Sequence, residues 1–151
     1  MYKTILVPLD GSKRAEAIMP YAESLAECYG AKVILLHVVE PKSHIVGLDH
    51  MYPILDQYVL EQHTKEAETY LAMQQGRLRD KDISSQVRIA YGPVVEEIAQ
   101  SAEREGAELI AMASHGRTGL DRVFYGSVAA GVLHRVDRPL LLIRSLDNDQ
   151  N

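Results

Sequence analysis

Residues Met112 to Val128, MASHGRTGLDRVFYGSV, hold the groups best placed for chemistry: a glycine-rich loop leaves an apolar run and reaches Gly126-Ser127 where a helix starts. The chemistry on offer is anion binding by backbone amides. A helix start leaves about four N–H groups without intrahelical partners and carries roughly half a positive charge, so phosphate is stabilised there without a basic side chain. Gly116 and Gly126 let the main chain approach a ligand closely, and the Ser127 hydroxyl can bond a phosphate oxygen or serve as a plain N-cap. Arg117 and Arg122 either neutralise phosphate or stay solvated.

Other chemistries lack their residues. No GxxxxGK[S/T] is present and no GxGxxG follows the first apolar run, so neither a P-loop nor a dinucleotide fingerprint exists. Without a lysine clamp or a water-activating residue, any phosphate hydrolysis is expected to be slow. His115 has no carboxylate placed in sequence to orient it, which argues against a general base. His44, His50 and His63 are spaced by 6 and 13 residues, too widely for a metal site on one element, and no protein metal ligands are expected. His37 reads as a satisfied core histidine, and His134 suits the negative end of a helix dipole.

Composition narrows the class further. A chain of 151 residues with 46% hydrophobic content can build one globular core, expected to span about 2–145 with a flexible tail at 146–151. The net charge of −5 and the lack of a basic cluster argue against nucleic-acid binding. Cys28 is the only cysteine, which suits a reducing compartment, and it reads as a buried packing residue. No apolar run approaches the ~20 residues of a membrane span and the N-terminus lacks a signal-peptide pattern, so a soluble cytoplasmic protein is expected.

Elements that could position the loop alternate along the chain. Thr4–Leu9, Lys32–Val39, Leu109–Ala113 and Leu140–Ile143 are short apolar runs typical of strands buried on both faces of a parallel sheet. Ile83 to Tyr91 alternates apolar and polar residues and reads as an edge strand. Four helices connect them. The first is opened by Ser12 and closed by Gly30, with Pro20 expected to bend it or cost a hydrogen bond. The second runs from about Ile54 to Leu78, with Leu55, Tyr58, Val59, Ala67, Tyr70 and Leu71 on its apolar side. A third starts after Pro93 with Val94, Val95, Ile98, Ala99 and Ala102 on one stripe, and a fourth starts near Ser127. Glu40 to Pro53 reads as a long loop that could cover the strand ends.

This order specifies an α/β three-layer sandwich: a five-stranded parallel sheet in the order 3-2-1-4-5, Rossmann-like. Ligands bind such sheets at the carboxyl ends of the strands where the winding reverses, here between strands one and four. Pro8, Leu9 and Asp10 arrive there from strand one, Met112 to Gly116 from strand four, and Val38 and Val39 from strand two. Asp10 can face a ligand or act as a turn residue ahead of Ser12. The last strand, Leu140 to Ile143, falls at the opposite edge without polar alternation, which predicts cover by a second copy of the chain; helices on both faces, with Arg144 and the acidic tail at the rim, are the alternative.

ILVPLDGS, VILLHVV and ASHGRTGLDRVFYGSVA resemble the universal stress protein family over nearly the whole chain. In that family's ATP-binding branch the loop is written GxxG, nine residues, then G[S/T]. Here Ala113-Ser114-His115-Gly116 is followed by nine residues and Gly126-Ser127, so the spacing is kept while alanine replaces the first glycine. The resemblance implies an adenine nucleotide alpha hydrolase-like fold and places Asp10 and Val38 at the adenine and ribose end. It places Ala113, His115 and Gly116 along the ribose and first phosphates, with Gly126, Ser127 and Val128 on the outer phosphates. Pro8, Leu9, Met112 and Arg117 flank these positions. The implied ligand is ATP, with ADP or AMP as variants and Mg carried through the phosphates. The implied role is a homodimeric, nucleotide-dependent stress regulator acting on a protein partner. A weak nucleotidase using Asp10 or His115, or a nucleotide-free dimeric module, are the alternatives.

Overall fold

The computed structural model describes residues 1–41, 53–115 and 126–145, with backbone alone at 53–55 and 115. Its strands are β1 (Thr4–Pro8), β2 (Lys32–Val39), β3 (Ser85–Tyr91), β4 (Leu109–His115) and β5 (Leu140–Ser145). The helices are α1 (Lys13–Glu16), α2 (Met19–Tyr29), α3 (Pro53–Arg79), α4 (Val94–Arg104) and α5 (Ser127–Arg135). All strand pairings are parallel and the sheet order is β3-β2-β1-β4-β5, as the alternation predicts. β3 and β5 take the two edges.

Successive strand residues point to opposite faces, and each face has its own core. Ile5, Val7, Val33 and Leu35 pack with Ile18, Met19, Ala22, Leu71 and Leu78 on the side of α1 to α3. Leu6, Ile34, Leu36, Ile110 and Met112 pack with Ile98, Ala102, Ala129 and Val132 on the side of α4 and α5. That double burial explains why β1, β2 and β4 read as continuous apolar runs.

Several expectations are corrected. The first connecting helix is broken into α1 and α2: Ala17 and Ile18 bond back three residues, to Arg14 and Ala15, instead of four. Pro20 therefore falls in the first turn of α2, where its missing N–H leaves no intrahelical bond unmade. Gly30 ends α2 in the left-handed conformation, φ 63°, as its terminator reading requires. Cys28 is exposed, because α2 buries the face of Met19, Ala22, Glu23 and Ala26 and Cys28 lies off it. Tyr58 is 58% exposed, since α3 buries its apolar side only from Ala67 onward to Leu71 and Leu78. β3 starts at Ser85; Ile83 belongs to the preceding turn, where Asp82 has φ 56° and the Ile83 N–H donates to the Leu78 carbonyl. The loop cover at Glu40–Pro53 lies almost wholly outside the described residues, and the tail at 146–151, His44 and His50 lie outside them.

Candidate functional site

Strand β1 stays paired with β2 as far as Pro8↔Leu36 but with β4 only at Ile5↔Leu109 and Leu6↔Ile110. The two central strands part after that point. Proline in a central strand would ordinarily cost a ladder bond. The Leu9 N–H donates to the Leu36 carbonyl at 2.8 Å, so the nitrogen of Pro8, one residue earlier, faces the β4 side where pairing has already stopped. Pro8 thus sits at the mouth of the gap without losing a bond.

A cavity of about 210 Å³ occupies the gap. Of the residues singled out from sequence, Pro8, Leu9, Asp10, Val38, Met112, Ala113, Gly126 and Val128 line it. Ser127 does not. It is the first residue of α5, exposed, while Gly126 takes the cap position with φ −52° and ψ 153°. The N-cap reading of Ser127 is therefore corrected: the cap is glycine, and no side chain among the described residues caps the helix. The first intrahelical bond runs from the Ala130 N–H to the Gly126 carbonyl, leaving the amides of the first turn at the cavity edge without side-chain acceptors among the described residues. His115 ends β4 opposite Ser145. Gly116, Arg117 and Arg122 lie outside the described residues.

Asp10 takes the turn role ahead of Ser12. Its Oδ1 accepts from the Ser12 N–H at 2.9 Å and from the Ser12 hydroxyl at 2.6 Å, and Ser12 Oγ in turn accepts from the Ala15 N–H at 3.1 Å. This chain of bonds fixes the start of α1, and Asp10 is also among the residues lining the cavity. Leu36, Val94 and Ile98 complete an apolar wall; Val94 and Ile98 belong to the core stripe of α4, so their spacing alone gives no sign of a cavity. Arg14, from the exposed side of α1, also lines the cavity and has no signal in the sequence motif.

A second cavity, about 540 Å³, shares Asp10, Val38 and Val94 with the first and extends to His37, Glu40, His63, Glu66 and Tyr70. His37 is half-buried and satisfied: its Nδ1–H donates to the Leu9 carbonyl at 2.9 Å, a pairing that fixes the tautomer because a carbonyl only accepts. Among the described residues no cluster of three or more His, Cys, Asp or Glu side chains could hold a metal ion, and no helix is long and apolar enough to cross a membrane.

The strand order, the crevice where the winding reverses and the open helix start beside it define a Rossmann-like α/β domain. The model of the universal stress protein family matches residues 1–144, and the chain belongs to that family. It is 29% identical over 155 residues to universal stress protein MJ0577 of Methanocaldococcus jannaschii, covering 95% of this chain and 96% of that one. The solved structure of MJ0577 superposes with a TM-score of 0.82 at 30% identity over 98% and 99% of the two chains. Two more distant structures share the fold. One, a universal stress protein in complex with cAMP, has a TM-score of 0.65 at 20% identity over 96% and 98% of the chains. The other, from Archaeoglobus fulgidus in complex with dAMP, has a TM-score of 0.63 at 18% identity over 94% and 98%.

Proposed function

We propose that this chain binds an adenine nucleotide, ATP foremost, in the cavity between β1 and β4, and works as a nucleotide-dependent regulator with little hydrolysis. The observation that carries this reading is the start of α5, uncapped by any side chain among the described residues, at one edge of a cavity whose other described lining is apolar apart from Asp10, Arg14 and Ser114. An apolar slot suits a purine, and free amides at a helix start suit phosphates. The adenine nucleotides held by the two fold neighbours are of the same chemical class.

At about 210 Å³ the cavity is smaller than the roughly 300–1,000 Å³ of typical ligand sites. It accommodates the base and sugar and leaves the phosphates at its mouth, with Ser127 and Val128 beside them and Mg carried by the phosphates. No lysine lines the cavity among the described residues, and Asp10 Oδ1 is engaged by Ser12, which supports slow turnover. β5 leaves Leu140 to Ile143 half-exposed at a sheet edge, which supports pairing of two copies there. A cytoplasmic site of action accords with the single free thiol.

Gly126→Asp tests the site cleanly. Asp is a favoured N-cap residue, so the helix keeps or gains stability, while its carboxylate occupies the first-turn amides and repels phosphate. With ATP about a hundredfold above Kd the wild type gains about 2.7 kcal/mol, or about 5–10 °C in Tm. The variant is expected to melt at or above the unliganded wild type and to gain nothing from ATP. Calorimetric titration of the wild type with ATP, ADP and AMP that gave no heat, together with an unchanged melting response in the variant, would end the proposal.

A further inference from the structure

We infer that Arg14 is a cationic side chain by which this site selects nucleotides by phosphate charge, favouring triphosphate over monophosphate; the inference rests on the nucleotide reading above. Asp10 and Arg14 are the charged side chains lining the cavity among the described residues, so Arg14 is its one basic group there. At about 210 Å³ the cavity as a whole is too small for a whole nucleotide, which leaves the charged tail of the ligand toward its exposed side, where Arg14 lies.

Location then decides which part of the ligand Arg14 meets. Helix α1 packs against β4, and Arg14 and Ala15 share the cavity wall with Ala113 and Ser114, the strand end from which the chain runs toward Gly126. That wall continues to the open start of α5. The Asp10 carboxylate repels phosphate, so a nucleotide lowers its energy by turning its base and sugar toward Asp10 and its phosphates toward α5 and Arg14. A guanidinium offers paired donors matched to phosphate oxygens, and the Coulomb attraction grows with each added phosphate charge. The attraction of both the α5 amides and Arg14 grows with ligand charge, and Arg14, a full charge against roughly half a charge at the helix start, adds the larger part of that growth.

The helix that carries Arg14 is anchored. α1 is capped by Ser12, which Asp10 holds by two bonds, and Glu16 in the same short helix accepts from Tyr70 of α3 at 3.1 Å. Arg14 is therefore carried by a helix fixed at both ends.

The experiment titrates AMP, ADP and ATP into wild type, Arg14→Ala and Arg14→Lys at low and high salt, with the unliganded melting temperature of each as the folding check. Arg14→Ala is expected to weaken ATP about tenfold and AMP less than about twofold, because a charge-assisted contact at an exposed position is partly screened. Arg14→Lys is expected to restore part of the ATP preference, since the charge returns without the fork. The wild type should lose ATP affinity with salt more steeply than Arg14→Ala does. Wild-type binding with an unchanged ATP-to-AMP ratio in Arg14→Ala overturns the role of Arg14 and leaves the nucleotide site standing. A wild type that binds none of the three overturns both.

Discussion

Tyr70 in the middle of α3 donates its phenolic hydrogen to Glu16 Oε1 at 3.1 Å, joining the longest helix to the four-residue helix beside the cavity. Burial, first, and then the bond to Glu16 and the charges of Glu16 and Asp10 hold the Tyr70 hydroxyl well above the ordinary tyrosine range, with Arg77 opposing. A raised pKa in the folded state means the folded protein keeps this proton better than the unfolded chain. The associated stability is complete below about pH 10 and is lost as pH rises beyond it. Tyr70→Phe is expected to cost about 0.5–1.5 kcal/mol at pH 7, toward the lower end because the pair is half-exposed. In urea titrations the gap between wild type and variant should narrow above pH 10; a gap that stays constant to pH 11 would contradict the assignment.

Glu23 of α2 is 5% exposed and pairs through Oε2 with Lys81, just beyond α3, while its buried Oε1 has no hydrogen-bond partner among the described residues. Removing one partner is costlier than removing both, because a buried carboxylate without its cation keeps its desolvation penalty. Lys81→Ala is expected to destabilise by about 1–3 kcal/mol. Adding Glu23→Leu in that background should return most of the loss, as the unsatisfied oxygen is replaced by apolar surface on the buried face of α2. Denaturant midpoints of the four proteins in the cycle measure this, and simple additivity of the two single losses would refute it.

Two helical glycines should respond oppositely to the same substitution. A Cβ at Gly76 in α3 meets nothing within 4 Å, so Gly76→Ala is expected to stabilise by about 0.5–1 kcal/mol through lower unfolded-chain entropy. At Gly131 in α5 a Cβ would lie 2.7 Å from Val95 Cγ2 of α4, a branched side chain with little rotamer freedom. Gly131→Ala should therefore cost about 1–3 kcal/mol from overpacking, and Val95→Ala in the same chain should relieve part of it. Thermal melts that ranked the two glycine variants alike would remove this account of the α4–α5 contact.

The fold was legible because its strongest signals are local. Apolar runs at Thr4, Lys32, Leu109 and Leu140, the polar alternation before Tyr91, and the punctuation by Ser12, Gly30 and Pro93 lead to the observed strand order. Half of the cavity was legible too, since the switch-point rule brings Asp10, Val38 and Ala113 together once the order is known. What escaped depends on rotation and on small backbone shifts. Arg14 lines the cavity because α1 breaks from α2 at Ala17–Ile18 and leans on β4, and a periodicity count cannot register that break. Cys28 and Tyr58 occupy apolar-looking helix positions, yet the burying face of α2 passes beside Cys28 and that of α3 is set only farther along at Ala67, Leu71 and Leu78. Val94 and Ile98 belong to a core stripe and a ligand wall at once, and their residue types are the same for either role.

β5 ends the sheet with Leu140, Leu141, Leu142 and Ile143 all half-exposed and only Arg144 and Ser145 to interrupt them. Leu140 and Leu142 lean toward the α5 side of the sheet and Leu141 and Ile143 toward the α1 side, so each face is partly filled from within the chain. The uncovered remainder is the strand edge itself, a row of backbone donors and acceptors flanked by apolar side chains. A second copy meeting this edge would hide it, and the chain is expected to sediment as a dimer whose melting temperature rises with protein concentration. Leu142→Lys puts a charge at the edge while its stem still covers Met112 from the side, and it should shift the species to monomer and abolish the concentration dependence. A wild type that sediments as a monomer at the highest concentration would assign the protection of this edge to the chain's own helices and Arg144.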